Sequence, residues 1–182
     1  MYQIIKQILR TGIKSEAPPQ PDDTMRLDTQ QLQQKILQHV GRALAIRHVD
    51  AGSCNGCELE IHALNNAYYN IEGLGIQFVA SPRHADMLLV TGPVSRHMEI
   101  ALKRTYDATP EPKLVVAVGD CACTGGIFTT DSNDCGKAGN YASCGKISNV
   151  IPVDVAVPGC PPTPTELLQG ILTAVTGRAI NK

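Results

Sequence analysis

The residues best able to do chemistry in this 182-residue sequence are its seven cysteines. Cys54 and Cys57 form a local C-x-x-C pair, Cys121 lies 64 residues further on, and Cys160 another 39. No continuous apolar signal segment marks the N-terminus, so the cysteine content reads as that of a reducing compartment, where thiols hold metals or do redox chemistry more often than they form disulfides. The odd number agrees. Four thiolates drawn from separate segments suit a tetrahedral metal or an iron–sulfur cluster. Zinc sites more often use two compact C-x-x-C knuckles. Here only one pair is local, so the 2+1+1 spacing favours a [4Fe–4S] cluster and leaves zinc as the alternative.

The neighbouring residues suit a buried anionic group. Gly56 permits a tight backbone between the paired cysteines, and Cys57 falls in the first turn of the next helix, whose positive end favours thiolates. Around Cys160, the run Pro158-Gly159-Cys160-Pro161-Pro162 is a stiff loop. The following Thr163-Pro164-Thr165-Glu166 reads as a capping box, with Pro164 at the first helical position and Glu166 returning to the cap.

These cysteines need elements to position them, and the hydrophobic pattern supplies alternating strands and helices. Short strands are expected over 47–50, 76–80, 87–91, 113–118 and 153–157, and helices over 56–69, 95–106 and 166–175. Leu32, Ile36, Leu37 and Val40 mark one face of a further helix from about Asp28. The runs at 87–91 and 114–118 are almost wholly apolar, as in strands buried on both faces. The order predicts an α/β domain with a flavodoxin-like, doubly wound parallel sheet. Cys54 and Cys57, Cys121 and Cys160 each follow a strand end, and in a parallel sheet those ends share the edge where open α/β folds bind ligands. Segment 119–150 is too long for an idle connection and reads as functional or partner-contacting. The domain is expected to occupy 29–182. Residues 1–28 read either as a docking arm, with Ile4, Ile5, Ile8 and Leu9 at helical spacing, joined by the polar, Pro-rich linker 15–23, or as a frayed terminus.

Composition narrows the function. Sixteen Lys and Arg against seventeen Asp and Glu give a formal net charge of −1, which removes the broad attraction that nonspecific nucleic-acid binding needs, so no nucleic-acid partner is expected. The longest apolar run, Leu114 to Val118, is far below the ~20 residues that span a bilayer. Neither G-x-G-x-x-G after a strand nor G-x-x-x-x-G-K-[ST] occurs, which argues against a nucleotide- or flavin-binding module; a zinc-stabilised interaction protein is the other competing class. A chain this long buries roughly 70% of its unfolded surface and needs no disulfide staples.

Several segments together are diagnostic. Cys54-Asn55-Gly56-Cys57-Glu58-Leu59-Glu60, Ser81-Pro82-Arg83-His84-Ala85-Asp86, Gly119-Asp120-Cys121, Gly125-Gly126, and Ile151-Pro152-Val153-Asp154 leading into Pro158-Gly159-Cys160-Pro161-Pro162 resemble the small subunit of membrane-bound group 4 [NiFe]-hydrogenases. The same motifs are shared with the 20 kDa cluster-carrying subunit of respiratory complex I. The resemblance covers about residues 45–176. It implies one [4Fe–4S] cluster held by Cys54, Cys57, Cys121 and Cys160, beside a large subunit carrying a nickel–iron centre. It also implies ferredoxin-like iron–sulfur subunits and membrane subunits as partners, and a peripheral position on the cytoplasmic side of the membrane. No further C-terminal cluster domain follows, so one cluster is expected rather than three. Complex I subunits of this family carry two adjacent cysteines in the first motif, whereas this chain has C-x-x-C; the hydrogenase reading is therefore favoured. The alternative is a complex I-like, quinone-reducing subunit whose large partner lacks nickel.

Other residues fit less directly. Cys123, Cys135 and Cys144 match none of the four ligand positions and read as spare buried thiols, an accessory metal site, or a Cys135–Cys144 redox pair. Cys123 also stands two residues from Cys121 and competes with it as third ligand, with Cys121 preferred on motif spacing. Glu58 is either polar decoration of a first helical turn or, by the resemblance, a proton-path carboxylate beside the large subunit. His84 and His97 are treated as ordinary histidines and not as ligands.

Overall fold

A computed structural model describes residues 2–11, 34, 38, 41–128 and 141–177. The helical face built on Leu32, Ile36, Leu37 and Val40, the linker 15–23 and Cys135 lie outside the described residues. The elements along the chain are α1 (Tyr2–Thr11), β1 (Leu44–Asp50), α2 (Gly56–Ala63), β2 (Ile76–Phe78), β3 (Met87–Thr91), β4 (Val94–Ser95), α3 (Arg96–Ala108), β5 (Leu114–Val118), α4 (Asp120–Thr124), β6 (Ser143–Gly145), β7 (Val155–Val157) and α5 (Pro164–Gly177).

Five strands form one parallel sheet in the order β2-β1-β3-β5-β7. That order is the flavodoxin-like one, with its topological switch between β1 and β3. Every residue of β3 and β5 is buried, because aliphatic side chains alternate between two cores. Met87, Leu89, Leu114, Val116 and Val118 meet Ile61 of α2, Leu64 just after it, and Leu167 and Ile171 of α5. On the other face, Leu88, Val90, Val115 and Ala117 meet Leu102 of α3, Ala122 of α4 and Ile147. The parallel sheet is thus covered on both sides, as its continuous apolar strands require.

Sequence expectations differ from the structure mainly at element ends. The first strand begins at Leu44 rather than 47, because Leu44, Ala45 and Ile46 are fully packed and pair with β2. The helix expected over 56–69 stops at Ala63: the Asn66 side chain accepts the backbone N–H groups of Tyr68 and Tyr69 at 2.9 Å each, and Asn70 turns left-handed. The last strand is shortened to three residues: at its start the Asp154 N–H still donates to the Val115 carbonyl at 2.9 Å, but the Val115 N–H is taken by the Asp154 carboxylate at 2.8 Å instead of by a backbone carbonyl. In the 119–150 segment the described residues hold α4 and β6, and β6 pairs antiparallel with β4.

Candidate metal centre

The site forms at the C-terminal edge of the sheet. Cys54 follows β1, Cys57 sits in the first turn of α2, Cys121 in the first turn of α4 directly after β5, and Cys160 in the loop after β7. Asn55 adopts a left-handed conformation (φ 74°) that turns the chain sharply between Cys54 and Cys57 and starts α2. The last loop is held by the helix after it. Thr163 N–H and Oγ1 both donate to Glu166 Oε2, at 2.8 and 2.9 Å, and Glu166 N–H donates back to Thr163 Oγ1 at 3.4 Å. This is the capping box expected from the sequence, and its two hydrogen bonds from Thr163 hold the Glu166 carboxyl below the usual carboxylate range.

The fold brings the four thiols within electrostatic reach of one another. The Cys57 thiol is pushed up to about 12, first by burial, then by Glu58, then by Cys54, Cys121 and Cys160. Burial raises Cys121 as well, followed by Cys160 and Cys54. Convergence of anionic groups disfavours thiolates while nothing positive lies between them. A cationic iron or zinc centre reverses that balance and displaces the thiol protons on binding.

Among the described residues no three His, Cys, Asp or Glu side chains stand close enough together to chelate one ion. A cubane binds each of its four thiolates through a different iron, so it needs ligands that converge without touching. Four thiols from three strand ends are the kind of donor set that a cubane takes, one sulfur to each iron. Space is also kept open at Gly119, whose φ of 87° and ψ of 159° only glycine adopts readily; a Cβ there would stand 2.6 Å from the Cys57 sulfur.

The other three cysteines are placed elsewhere or not described. Cys123 points back at the sheet, its sulfur 3.6 Å from the carbonyl oxygens of both Ala117 and Val157, and its perturbing groups are burial, Val157 and Asp120 rather than the other thiols. Cys121 therefore belongs with the convergent set and Cys123 with the packing. Cys144 is buried in the second core, with its thiol 3.5 Å from Glu99 Oε2. His84 lies on the turn Pro82–His84 and His97 on α3.

Glu58 is buried, 7% exposed, and neither of its carboxylate oxygens has a hydrogen-bond partner. The His48 ring lies beside it, with Nε2 3.7 Å from Oε1. His48 was not singled out by sequence, since a histidine on a strand carries no motif. Its ring also lies 3.1 Å from Thr91 Oγ1 and lines an open pocket of about 240 Å³ with Arg47, Ile61, His62 and Phe78. Burial lowers the His48 pKa more than Glu58 and Asp50 raise it, so the imidazole is neutral at pH 7. Asp120 was missed too. Its Oδ1 accepts the Gly159 N–H at 2.8 Å and its own N–H donates to the Gly159 carbonyl at 2.9 Å, tying the Cys121 and Cys160 loops together. An acid directly before a candidate ligand, in Gly-Asp-Cys, was the available signal.

With this geometry in view, comparison with known proteins is decisive. Residues 54–174 match the family model described as NADH ubiquinone oxidoreductase, 20 Kd subunit. The chain belongs to this family. A probable membrane-bound hydrogenase subunit of Pyrococcus furiosus is 39% identical over 155 residues, covering 84% of this chain and 87% of that protein. A subunit of the NADH-quinone oxidoreductase of Desulfovibrio desulfuricans is 42% identical over 133 residues, covering 72% of this chain and 66% of that one. Among solved structures, a chain from the membrane-bound sulfane sulfur reductase, an archaeal respiratory membrane complex, superposes with a TM-score of 0.61 at 30% identity, covering 82% of this chain and 79% of its own. Members of the 20 kDa family are subunits of oxidoreductase complexes, and this chain is an electron-transfer subunit of the complex I and group 4 hydrogenase kind. Among the described residues no helix is long and apolar enough to cross a membrane.

Proposed function

We propose that the chain is the electron-transfer subunit of a membrane-bound [NiFe]-hydrogenase, with Cys54, Cys57, Cys121 and Cys160 holding one [4Fe–4S] cluster. When bound, that cluster passes single electrons between a nickel–iron centre on the large-subunit partner and ferredoxin-like subunits. The observation that carries this reading is the convergence of four thiols from three strand ends on one sheet edge, each within electrostatic reach of the others. The C-x-x-C form of the first pair, by resemblance, favours hydrogenase over complex I.

The chain's own residues set up the site. Cys57 lies in the first turn of α2, where the Asn55 side chain caps no N–H and the positive end of the helix favours anionic sulfur. Asp120 fixes the distance between the loops of Cys121 and Cys160. Glu58, buried beside Cys57 without a hydrogen bond, is the candidate proton-carrying carboxylate; His48 stands between it and the open pocket, giving a route to solvent. Unpartnered buried carboxylates are costly and persist where they serve a function. The subunit is proposed to sit peripherally on the cytoplasmic side of the membrane, held by partner subunits.

Anaerobic purification with iron and acid-labile sulfide assay tests the cluster. Iron and sulfide near four each per chain are expected, as one cubane requires. Zinc without sulfide would overturn it. Alanine at any one of Cys54, Cys57, Cys121 or Cys160 should abolish the reduced-state electron paramagnetic resonance signal, while Cys123→Ala should retain it. The 42% identity to a subunit of an NADH-quinone oxidoreductase keeps a second reading in play, in which the large partner lacks nickel and electrons go to quinone. Nickel assay of the purified complex decides between the two.

A further inference from the structure

Helix α1 carries two features that the electron-transfer reading does not use. Tyr2, Ile4, Ile5 and Leu9 are 78, 62, 53 and 80% exposed, so the described fold leaves these apolar side chains bare. Around the helix axis, positions 2, 4, 5 and 9 fall within an arc of roughly 160° at 3.6 residues per turn. Gln3, Lys6, Gln7, Arg10 and Thr11 occupy the rest, and all are exposed. The helix contains no acidic residue. Lys6 falls at the border of the apolar arc, next to Tyr2, with Arg10 behind it on the same side. Ten residues rise only about 15 Å, half of a bilayer's hydrocarbon core, so the helix is too short to span one.

An apolar arc edged by cations is the pattern of a helix that lies in a membrane interface, its aliphatic side chains among acyl chains and its cations among headgroups. A protein groove would accept the apolar arc, but it gives no reason for a helix with basic and no acidic charge. An anionic headgroup layer does. We propose that α1 binds directly to an anionic lipid surface, with Ile4, Ile5 and Leu9 inserted and Lys6 and Arg10 at the phosphates, adding a lipid contact to whatever the partner subunits provide. The site is separate from the cysteines, so it stands or falls independently of the cluster.

The test is flotation of the full-length protein with vesicles of equimolar phosphatidylcholine and phosphatidylglycerol, and with phosphatidylcholine alone. Binding is expected to the anionic vesicles and to be weaker by about thirtyfold on neutral ones, the effect of two basic groups at a charged surface. Lys6→Glu/Arg10→Glu should lose that preference, and high salt should weaken the wild type in the same direction. Ile5→Asp/Leu9→Asp should cut anionic-vesicle binding at least tenfold; α1 lies outside both cores, so neither variant should disturb the fold. Three results would overturn the proposal. They are no flotation of the wild type on anionic vesicles, equal flotation of the Ile5→Asp/Leu9→Asp variant, or vesicle-free self-association that this variant abolishes while lipid binding is absent. If the variant failed instead to co-purify with its membrane complex while the wild type ignored vesicles, the apolar arc would belong to a protein partner.

Discussion

Replacing Gly119 by alanine should cost the site its proposed cluster, and the structure sets the size of the effect. The added Cβ would stand 2.6 Å from the Cys57 sulfur, against the roughly 3.5–4 Å of ordinary contact, so either the sulfur or the Gly119 backbone must move by about 1 Å. The backbone resists, because φ 87° with ψ 159° is a region that costs a non-glycine residue about 1–3 kcal/mol. Crowding adds a further cost of about 1–3 kcal/mol. A total of roughly 2–6 kcal/mol is a large part of the 5–15 kcal/mol that holds a typical domain folded. A displacement of that size also exceeds the roughly 0.5 Å tolerance of a preorganised site. Gly75 is the control: it too has positive φ, 80°, but nothing lies within 4 Å of its Cβ position, so Gly75→Ala meets only the left-handed penalty of about 1–2 kcal/mol. Iron and sulfide per folded chain, with thermal unfolding of both variants, provide the assay. Gly119→Ala should lose iron and sulfide while Gly75→Ala keeps them at a slightly lowered midpoint. A Gly119→Ala protein with wild-type iron, sulfide and midpoint would refute the idea that Gly119 makes room for the site.

Three further outcomes are expected. Asp120→Ala leaves the Gly159 N–H without its acceptor, costing about 1–3 kcal/mol and speeding loss of iron on dilution, whereas Asp120→Asn keeps an acceptor oxygen and should restore most of both. Glu58→Gln should assemble with an unchanged paramagnetic signal yet lose roughly a hundredfold or more in hydrogen turnover; full activity would reduce Glu58 to a residue that complements the helix start. His48 has its pKa lowered by burial, so its contribution to stability is complete above its unfolded value of 6.5 and declines as pH falls through that value toward the lower folded one. Urea midpoints between about pH 8 and pH 5 should therefore fall more steeply for wild type than for His48→Gln, and parallel curves would remove His48 from the pH response.

The sheet and the four converging cysteines were legible because both rest on local pattern. The apolar runs at 87–91 and 114–118 are short enough to read as strands covered on both faces, and cysteines that follow the ends of parallel strands meet at one edge. Boundaries were less legible where side chains compete with the backbone. Asn66 ends α2 through its own amide oxygen, and Asp154 replaces a ladder bond with its carboxylate, and neither choice shows in hydrophobic periodicity. The His48–Glu58 contact was hidden for another reason. It joins residues on different elements, and only the register that brings β1 beneath α2 makes them neighbours. The choice of Cys121 over Cys123 rested on motif spacing in the sequence, while the structure adds a physical ground, the Cys123 sulfur lying against two carbonyl oxygens of the sheet.

The strand order raises a problem that the glycines answer. β3 lies between β1 and β5 but contributes no cysteine, so the loop bearing Cys54 and Cys57 must cross the end of β3 to reach the ligands that follow β5 and β7. At that crossing β3 ends in Gly92, with φ 74°, and a Cβ there would fall on the backbone nitrogen of Ser53, the residue before Cys54. The crossing loop is held down by Asp50, whose Oδ1 accepts the N–H groups of Gly52 and Ser53 at 2.8 Å each, and by Ala51 N–H donating to the Thr91 carbonyl at 3.0 Å. A side chain at Gly92 would lift the loop off β3 and carry Cys54 away from the other three thiols. The bare end of β3 is therefore as much a part of the site as the cysteines: the switch point supplies the crevice, and the missing side chain lets one ligand loop lie across it.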